Sequence, residues 1–191
     1  MVRKKLCIVI FLPLLSVLIV SCGPKKEPLR SGLLDYPAYL SEEEKKALSS
    51  WLDKHTELRL AIDSDCECED MIEQMNEWTS HHGYKEITYH PYYVAGDFNG
   101  DGRRDFAVVL VHLGEKVGRY EIAIFNGTAN PGKVNGPAYL LKGLDLEHQG
   151  LFYGPPRPQP WVLMFGPFET ELDFGFVPKG DTYEYMELPS K

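Results

Sequence analysis

The sequence predicts a single-domain α+β fold, in which two N-terminal helices pack on one antiparallel β-sheet meander. The chain has 191 residues, of which 43% are hydrophobic and 25% charged, and this apolar content suffices for one ordinary globular domain. Apolar residues recur first at helical spacing and then, from about residue 89 onward, at strand spacing in short runs separated by turn residues. Helices followed by a run of strands are typical of the α+β class.

Two capping boxes predict the helices. Ser41 with Glu44 predicts a helix over 42–54, and Ser64 with Glu67 predicts a second helix that ends near Gly83. The apolar stripe of the first comprises Ala47, Leu48, Trp51 and Leu52, and that of the second comprises Cys68, Met71, Ile72, Met75 and Trp78. Between the helices, alternation over 58–62 predicts a short strand or an extended link.

Two cysteines fall at the predicted start of the second helix. At helical spacing, the side chains of Cys66 and Cys68 lie about 200° apart around the axis. This geometry favours Cys68 in the core and Cys66 as a bystander. Two alternatives stay open. One is a local disulfide before the first helical turn. The other is a metal or redox pair, which the surrounding carboxylates disfavour because negative charge opposes thiolate formation.

A strand meander is predicted for the second half of the chain. Residues 108–111 form a near-continuous apolar run, and apolar residues alternate with others over 120–124. Further strands are predicted over 138–141, 150–153, 161–165, 172–177 and 182–188. Turn residues, including Asn126-Gly127 and Gly166-Pro167, separate these runs.

Residues 1–21 have the plan of a signal peptide. Three basic residues at 3–5 precede an apolar run over 6–20, which contains Pro13 and is shorter than the about 20 residues that a membrane-spanning helix needs. The tetrapeptide 19–22 then resembles the lipobox of bacterial lipoproteins. This resemblance implies cleavage before Cys22 and lipidation of its thiol. An ordinary secretory signal or an uncleaved anchor stays open.

The same resemblance implies a location in the bacterial cell envelope. Several acyl chains at Cys22 would hold the protein on a membrane, with residues 22–34 as a lipidated polar tether and 35–191 as the globular domain. Gly23 stands where an inner-membrane retention signal would favour aspartate. The outer membrane is therefore expected in a bacterium with two membranes.

The segment 97–105 places oxygen-bearing side chains at alternate positions of a tight loop. These are Asp97, Asn99, Asp101 and Asp105, at loop positions 1, 3, 5 and 9. Glycine at position 6 permits the bend, and the carbonyl of Arg103 can supply a further oxygen to Ca²⁺, which takes six to eight. Three aspartates this close repel each other unless a cation lies between them, so the sequence predicts a structural calcium ion. A polar turn held by hydrogen bonds from the backbone to aspartate is the alternative.

The flanking sequence separates this loop from an EF-hand. An EF-hand would place glutamate at position 12, where this chain has Val108, and a helix would follow. Strand-like residues flank the loop instead. Over 92–110 the chain resembles the calcium loops of FG-GAP and VCBS β-propellers, and this resemblance implies calcium coordination by the same loop residues. It does not imply a propeller, because the motif occurs once.

Charge and missing motifs bound the function. A formal net charge of −8 disfavours a nucleic-acid partner, and no hydrolase elbow, zinc-protease helix or phosphate loop is present in the sequence. We therefore predict a non-catalytic envelope lipoprotein domain that binds a protein or glycan partner. The alternative is a metal-dependent envelope hydrolase acting on glycans or phosphoesters.

Two further groups of residues bear on that choice. Three acidic residues stand at alternating positions: Glu169, Glu171 and Asp173. This spacing fits either paired glycosidase carboxylates or the solvent-exposed face of a strand. Aromatic residues at strand spacing favour core positions, with a sugar-stacking platform as the alternative. They are Tyr153, Trp161, Phe165 and Phe168.

Overall fold

The fold is mostly β. The computed structural model describes residues 36–82, 88–129, 136–146, 148–154, 161–168 and 174–188. The helices in these ranges are α1 (Glu42–Leu52) and α2 (Glu69–His81), with a 3-10 turn at Asp63–Asp65 between them. The strands are β1 (Leu58–Leu60), β2 (Tyr93–Gly96), β3 (Asp105–His112), β4 (Tyr120–Phe125), β5 (Tyr139–Leu144), β6 (Gln149–Phe152), β7 (Leu163–Pro167), β8 (Phe174–Lys179) and β9 (Thr182–Glu187). The predicted signal peptide, Cys22 and the tether lie outside these residues.

The predicted α+β class, with two N-terminal helices on a single sheet meander, is wrong. The strands form two antiparallel sheets. In the first, β1, β3, β4 and β5 follow one another, and β2 also pairs with β3. In the second, β6 to β9 follow one another in chain order.

The physical reason for two sheets lies in β3, which is buried on both faces along nearly its whole length. One helical layer can cover only one face of such a strand. On that face, Phe106, Val108 and Leu110 pack in a core with Leu48 and Leu52 of α1. On the other face, a second core joins the first sheet to the second. It contains Ala107, Val109, Val111, Leu151, Leu163, Phe165 and Phe176. The two helices therefore do not share a face, because Met71 and Ile72 of α2 pack against this second core.

Helix α1 begins at the first capping box. The Ser41 hydroxyl accepts a hydrogen bond from the Glu44 N–H, and the Glu44 carboxylate accepts one from the Ser41 N–H at 2.7 Å. This satisfies two backbone donors that a helix start leaves without partners. The helix ends at Leu52, two residues before the predicted end, with Asp53 as its C-terminal cap.

Helix α2 begins at Glu69 and not after Ser64, because Cys66 and Cys68 form a disulfide. The residue between them, Glu67, has a φ of +52°, which lies outside the helical region. The expectation that the two side chains sit on different faces of a helix is wrong, since neither cysteine lies within the helix. Of the three alternatives, the structure has the local disulfide, and both cysteines are buried.

Strands β2 and β3 form a hairpin whose last pair is Gly96 with Asp105. The prediction that the acidic loop joins two neighbouring strands is therefore confirmed.

Among the residues described, no helix is long and apolar enough to span a bilayer.

Candidate metal site

The acidic loop is the tip of the β2–β3 hairpin. Its two glycines, Gly100 and Gly102, have φ values of +75° and +80°. Glycine adopts this region without the steric cost that a Cβ atom brings. The glycine at loop position 6 thus has the role that the sequence predicts for it.

Three of the predicted ligand side chains converge inside the loop. Asp97 Oδ1 and Asn99 Oδ1 both accept a hydrogen bond from the Asp101 N–H, at 3.0 Å each. Asn99 Nδ2 donates to Asp101 Oδ2 at 3.3 Å, and Asp97 Oδ2 accepts from the Gly102 N–H at 2.9 Å. Each carboxylate or amide oxygen keeps further lone pairs beyond those that these donors use.

Asp105, at loop position 9, is held by the protein framework. Its side chain is completely buried. One oxygen accepts from the Phe98 N–H at 2.9 Å and the other from the Gly127 N–H at 2.7 Å. Burial raises the pKa of Asp105 and the charge of Asp101 adds to this, while the hydrogen bonds from backbone N–H groups act in the opposite direction.

Arg103 supplies positive charge to the loop. Its N–H donates to Asp101 Oδ1 at 2.9 Å, and its half-exposed guanidinium lies 3.4 Å from Asp101 Oδ2. This charge offsets only part of the negative potential of the three aspartates. Burial raises the pKa of the neighbouring Tyr183 hydroxyl, and the charges of Asp105, Asp101 and Asp97 raise it further.

The donor set suits a hard cation, because every predicted ligand atom is an oxygen. Within the described ranges, no three acidic, histidine or cysteine side chains are gathered as a ready-made metal cluster. Of the predicted ligand residues, Asp97, Asn99 and Asp101 are joined to one another by hydrogen bonds within the loop. The two remaining predicted ligands are the carbonyl of Arg103 and Asp105, whose carboxylate accepts from the Phe98 and Gly127 N–H groups.

Several residues that contact the loop were not predicted from the sequence. The Tyr153 hydroxyl donates to the Asp97 carbonyl at 2.6 Å, and the Tyr183 hydroxyl donates to Asn126 Oδ1 at 2.8 Å and lies 3.4 Å from Asp105. Tyr153 and Tyr183 are 56 to 78 positions away from these partners, so no local pattern in the sequence marks them.

A cleft of about 400 Å³ lies beside the loop. Its described walls come from the loop, from the end of β4 and the residues that follow it, from the start of β5, and from the β8–β9 turn. The lining side chains include Asn99, Asp101, Arg103, Asn126 and Asp181. The cleft therefore carries charged side chains of both signs.

A second network ties the loop to α1. Glu44, almost completely buried, accepts hydrogen bonds from the Tyr93 hydroxyl at 3.0 Å and from Arg104 Nε at 3.3 Å. Arg104 also donates to the Tyr93 hydroxyl at 3.1 Å. Burial and the Glu44 charge raise the pKa of Tyr93 to about 12, against the effect of Arg104.

Two other predicted groups have different outcomes. Phe165 is buried in the core between the sheets, and Tyr153 and Phe168 pack against that core, so the core prediction is confirmed for these three. Trp161 contacts the Tyr153 ring edge-on. Glu169, Glu171 and Asp173 lie outside the described residues.

No protein-family model, no curated protein and no solved structure matches this chain.

Proposed function

We propose that this protein is a calcium-stabilised lipoprotein domain of the bacterial envelope that binds a protein or glycan partner without catalysis. The observation that carries the calcium assignment is that Asp97 and Asn99 both accept a hydrogen bond from the Asp101 N–H, while the Asp101 carboxylate accepts from Asn99 Nδ2 and from the Arg103 N–H. Bound there, the ion supplies positive charge and no chemistry of its own. Asp97, Asn99, Asp101, Asp105 and the carbonyl of Arg103 would hold it.

Two features support the envelope location. The first is the signal-peptide plan of residues 1–21 with the lipobox-like segment before Cys22. The second is the Cys66–Cys68 disulfide, since disulfides persist mainly in oxidising compartments such as the periplasm.

Two features support binding at the cleft. Hydrogen bonds from Gly127 to Asp105 and from Tyr183 to Asn126 fix the cleft walls to the hairpin. Ligand sites are usually concave and largely preformed. An ion in the loop would hold Asn99 and Asp101 in place at the cleft mouth. The metal-dependent hydrolase stays a prediction from the sequence.

Calcium titration with a matched pair of variants tests the metal assignment. Calcium at about ten times its dissociation constant stabilises a fold by about 1.4 kcal/mol, which raises the melting temperature by about 3–6 °C for a domain of this size. We expect this rise in the wild type and in Asp181→Ala, which removes an exposed carboxylate of the cleft outside the loop. Asp101→Ala should show no rise. A wild type that shows neither a thermal shift nor calorimetric heat with millimolar calcium would contradict the assignment.

Membrane fractionation tests the anchor. Cys22→Ser should move the protein out of the membrane fraction. In a detergent partition, this variant should enter the aqueous phase. The intact mass of Cys22→Ser should be lower than that of the wild type by the mass of the missing acyl chains. Cys7→Ser serves as the control, since Cys7 lies inside the predicted signal. Equal partitioning of both variants would count against lipidation.

A further inference from the structure

A helix-start signal in the chain is not used by the fold. Ser64 and Glu67 have the spacing of a capping box, yet residues Asp63–Asp65 form a 3-10 turn and α2 begins at Glu69. The residue at the actual N-terminal cap, Cys68, makes no side-chain capping hydrogen bond. Helix α2 thus starts one turn later than its sequence favours, at a position without a cap.

The disulfide accounts for this late start. In a helix, residues two apart point to different sides, and cysteines whose Cβ atoms diverge cannot be bridged without moving the backbone. The bond therefore excludes residues 66–68 from α2. Glu67 between the cysteines has a φ of +52°, a region that residues other than glycine, asparagine and aspartate rarely adopt.

Ion pairs hold the 3-10 turn in the disulfide form. Arg59 donates to both oxygens of Asp65, at 2.7 and 2.6 Å, and Asp65 also accepts from the Ile62 N–H. His90 Nδ1 lies 2.8 Å from the neighbouring Asp63. These contacts compete with any continuation of α2 toward residue 65.

The disulfide is buried and directly precedes a helix with few buried residues, whose Met71 and Ile72 pack against the core that contains both cysteines. Cys66 and Cys68 are 2% and 4% exposed. Every residue of α2 is described, and Thr79 alone among its 13 residues is buried. Elements with few buried contacts open locally at low free energy, so opening of α2 gives a reductant access to the bond.

We infer that the Cys66–Cys68 disulfide is a redox-sensitive stop that sets the length of α2. A thiolate of a dithiol reductant attacks one sulfur and releases the other, which takes up a proton. The second thiol of the reductant then breaks the mixed disulfide and leaves as part of a new disulfide. Two electrons and two protons pass to the protein, and Cys66 and Cys68 become thiols. Residues 65–68 then join α2, with Ser64 as its cap.

This extension changes a surface groove of about 650 Å³ along α2. Asp63 and Glu69, on either side of the disulfide, both line that groove. The redox state therefore alters the shape and charge arrangement at one end of the groove.

Hydrogen exchange of the full chain before and after treatment with dithiothreitol tests the inference. Peptide mapping with alkylation distinguishes the Cys66–Cys68 pair from Cys7 and Cys22. In the extended helix, the Glu69 and Asp70 amides bond to the carbonyls of residues 65 and 66, so both should exchange more slowly after reduction. Cys66→Ala with Cys68→Ala should give the same slow exchange without reductant.

Two single variants sharpen the test. Ser64→Ala removes the cap of the extended helix only, and should lower the gain in protection about fivefold. Glu67→Gly removes the steric cost of the positive φ in the disulfide form. Reduction of the disulfide in this variant should therefore require about tenfold more dithiothreitol. Resistance of the native disulfide to reduction would overturn the inference. So would reduction that leaves the Glu69 and Asp70 amides unchanged or makes them exchange faster, whether or not the double variant folds.

Discussion

Replacement of Glu44 by alanine should destabilise the fold by about 2–3 kcal/mol. Glu44 accepts hydrogen bonds from the Ser41 N–H, the Tyr93 hydroxyl and Arg104. Loss of the Glu44 half of the capping box leaves the Ser41 N–H without this acceptor and costs about 1 kcal/mol, and loss of a buried hydrogen bond to a charged group costs about 1.5 kcal/mol or more. Arg104 adds little because it is 62% exposed and can be rehydrated. The melting temperature should fall by about 5–10 °C.

Glu42→Ala is the matched control for this prediction. Glu42 lies in the same first turn, is 89% exposed and pairs only with Lys45 in the described structure, at 2.8 Å. Such a pair contributes about 0.3 kcal/mol. Urea denaturation of both variants, with midpoint and slope fitted separately, gives the comparison. If the two variants differ by less than about 0.5 kcal/mol, the network between Glu44 and the hairpin has no energetic role and the reasoning fails.

Two further predictions concern other charged pairs. Lys142→Met should cost about 2 kcal/mol in urea denaturation, because it leaves the completely buried Glu121 carboxylate, which has no hydrogen-bond partner among the described residues, without its lysine. Lys179→Met, which breaks an exposed pair with Glu184, should cost under about 0.5 kcal/mol, and equal losses would refute the difference. Burial alone would raise the pKa of Asp65, but hydrogen bonds from Arg59 and the Ile62 N–H outweigh it and lower the pKa. The stabilisation from Asp65 is therefore present above about pH 4 and is lost as pH falls through its folded-state pKa. Arg59→Ala should flatten the decline in melting temperature below pH 4, and an unchanged acid slope would contradict this.

The sequence predicts those parts of the fold and site that depend on near neighbours. The start of α1 follows from Ser41 and Glu44, which lie three residues apart and cap each other. The acidic loop could be predicted because its oxygen-bearing side chains recur within nine positions of the sequence. Its glycines and the flanking strands β2 and β3 lie where the motif requires them.

The parts that could not be predicted depend on distant contacts or on covalent chemistry. Helical spacing describes residues 64–68 well, but the disulfide prevents that helix. The alternation over 120–124 does not indicate that Glu121 is buried, whereas burial of β4 on both faces encloses it. Asp105 depends on Gly127, which pairing of β3 with β4 brings near, and on Tyr183 of β9, which the packing of the second sheet on the first brings near.

The position of β3 has a consequence for the order in which the chain assembles. β1 pairs with the end of β3, for instance Leu58 with His112, about fifty residues later in the chain. The β2–β3 hairpin closes over a far shorter span, and short loops cost less entropy to close. We therefore expect β1 and the residues before it to pack on β3 only after the β2–β3 hairpin has formed. Because Asp97 and Asp101 lie in the hairpin's turn and Asp105 begins β3, we expect salt to accelerate refolding by screening their repulsion, which stopped-flow fluorescence of the tryptophans can measure.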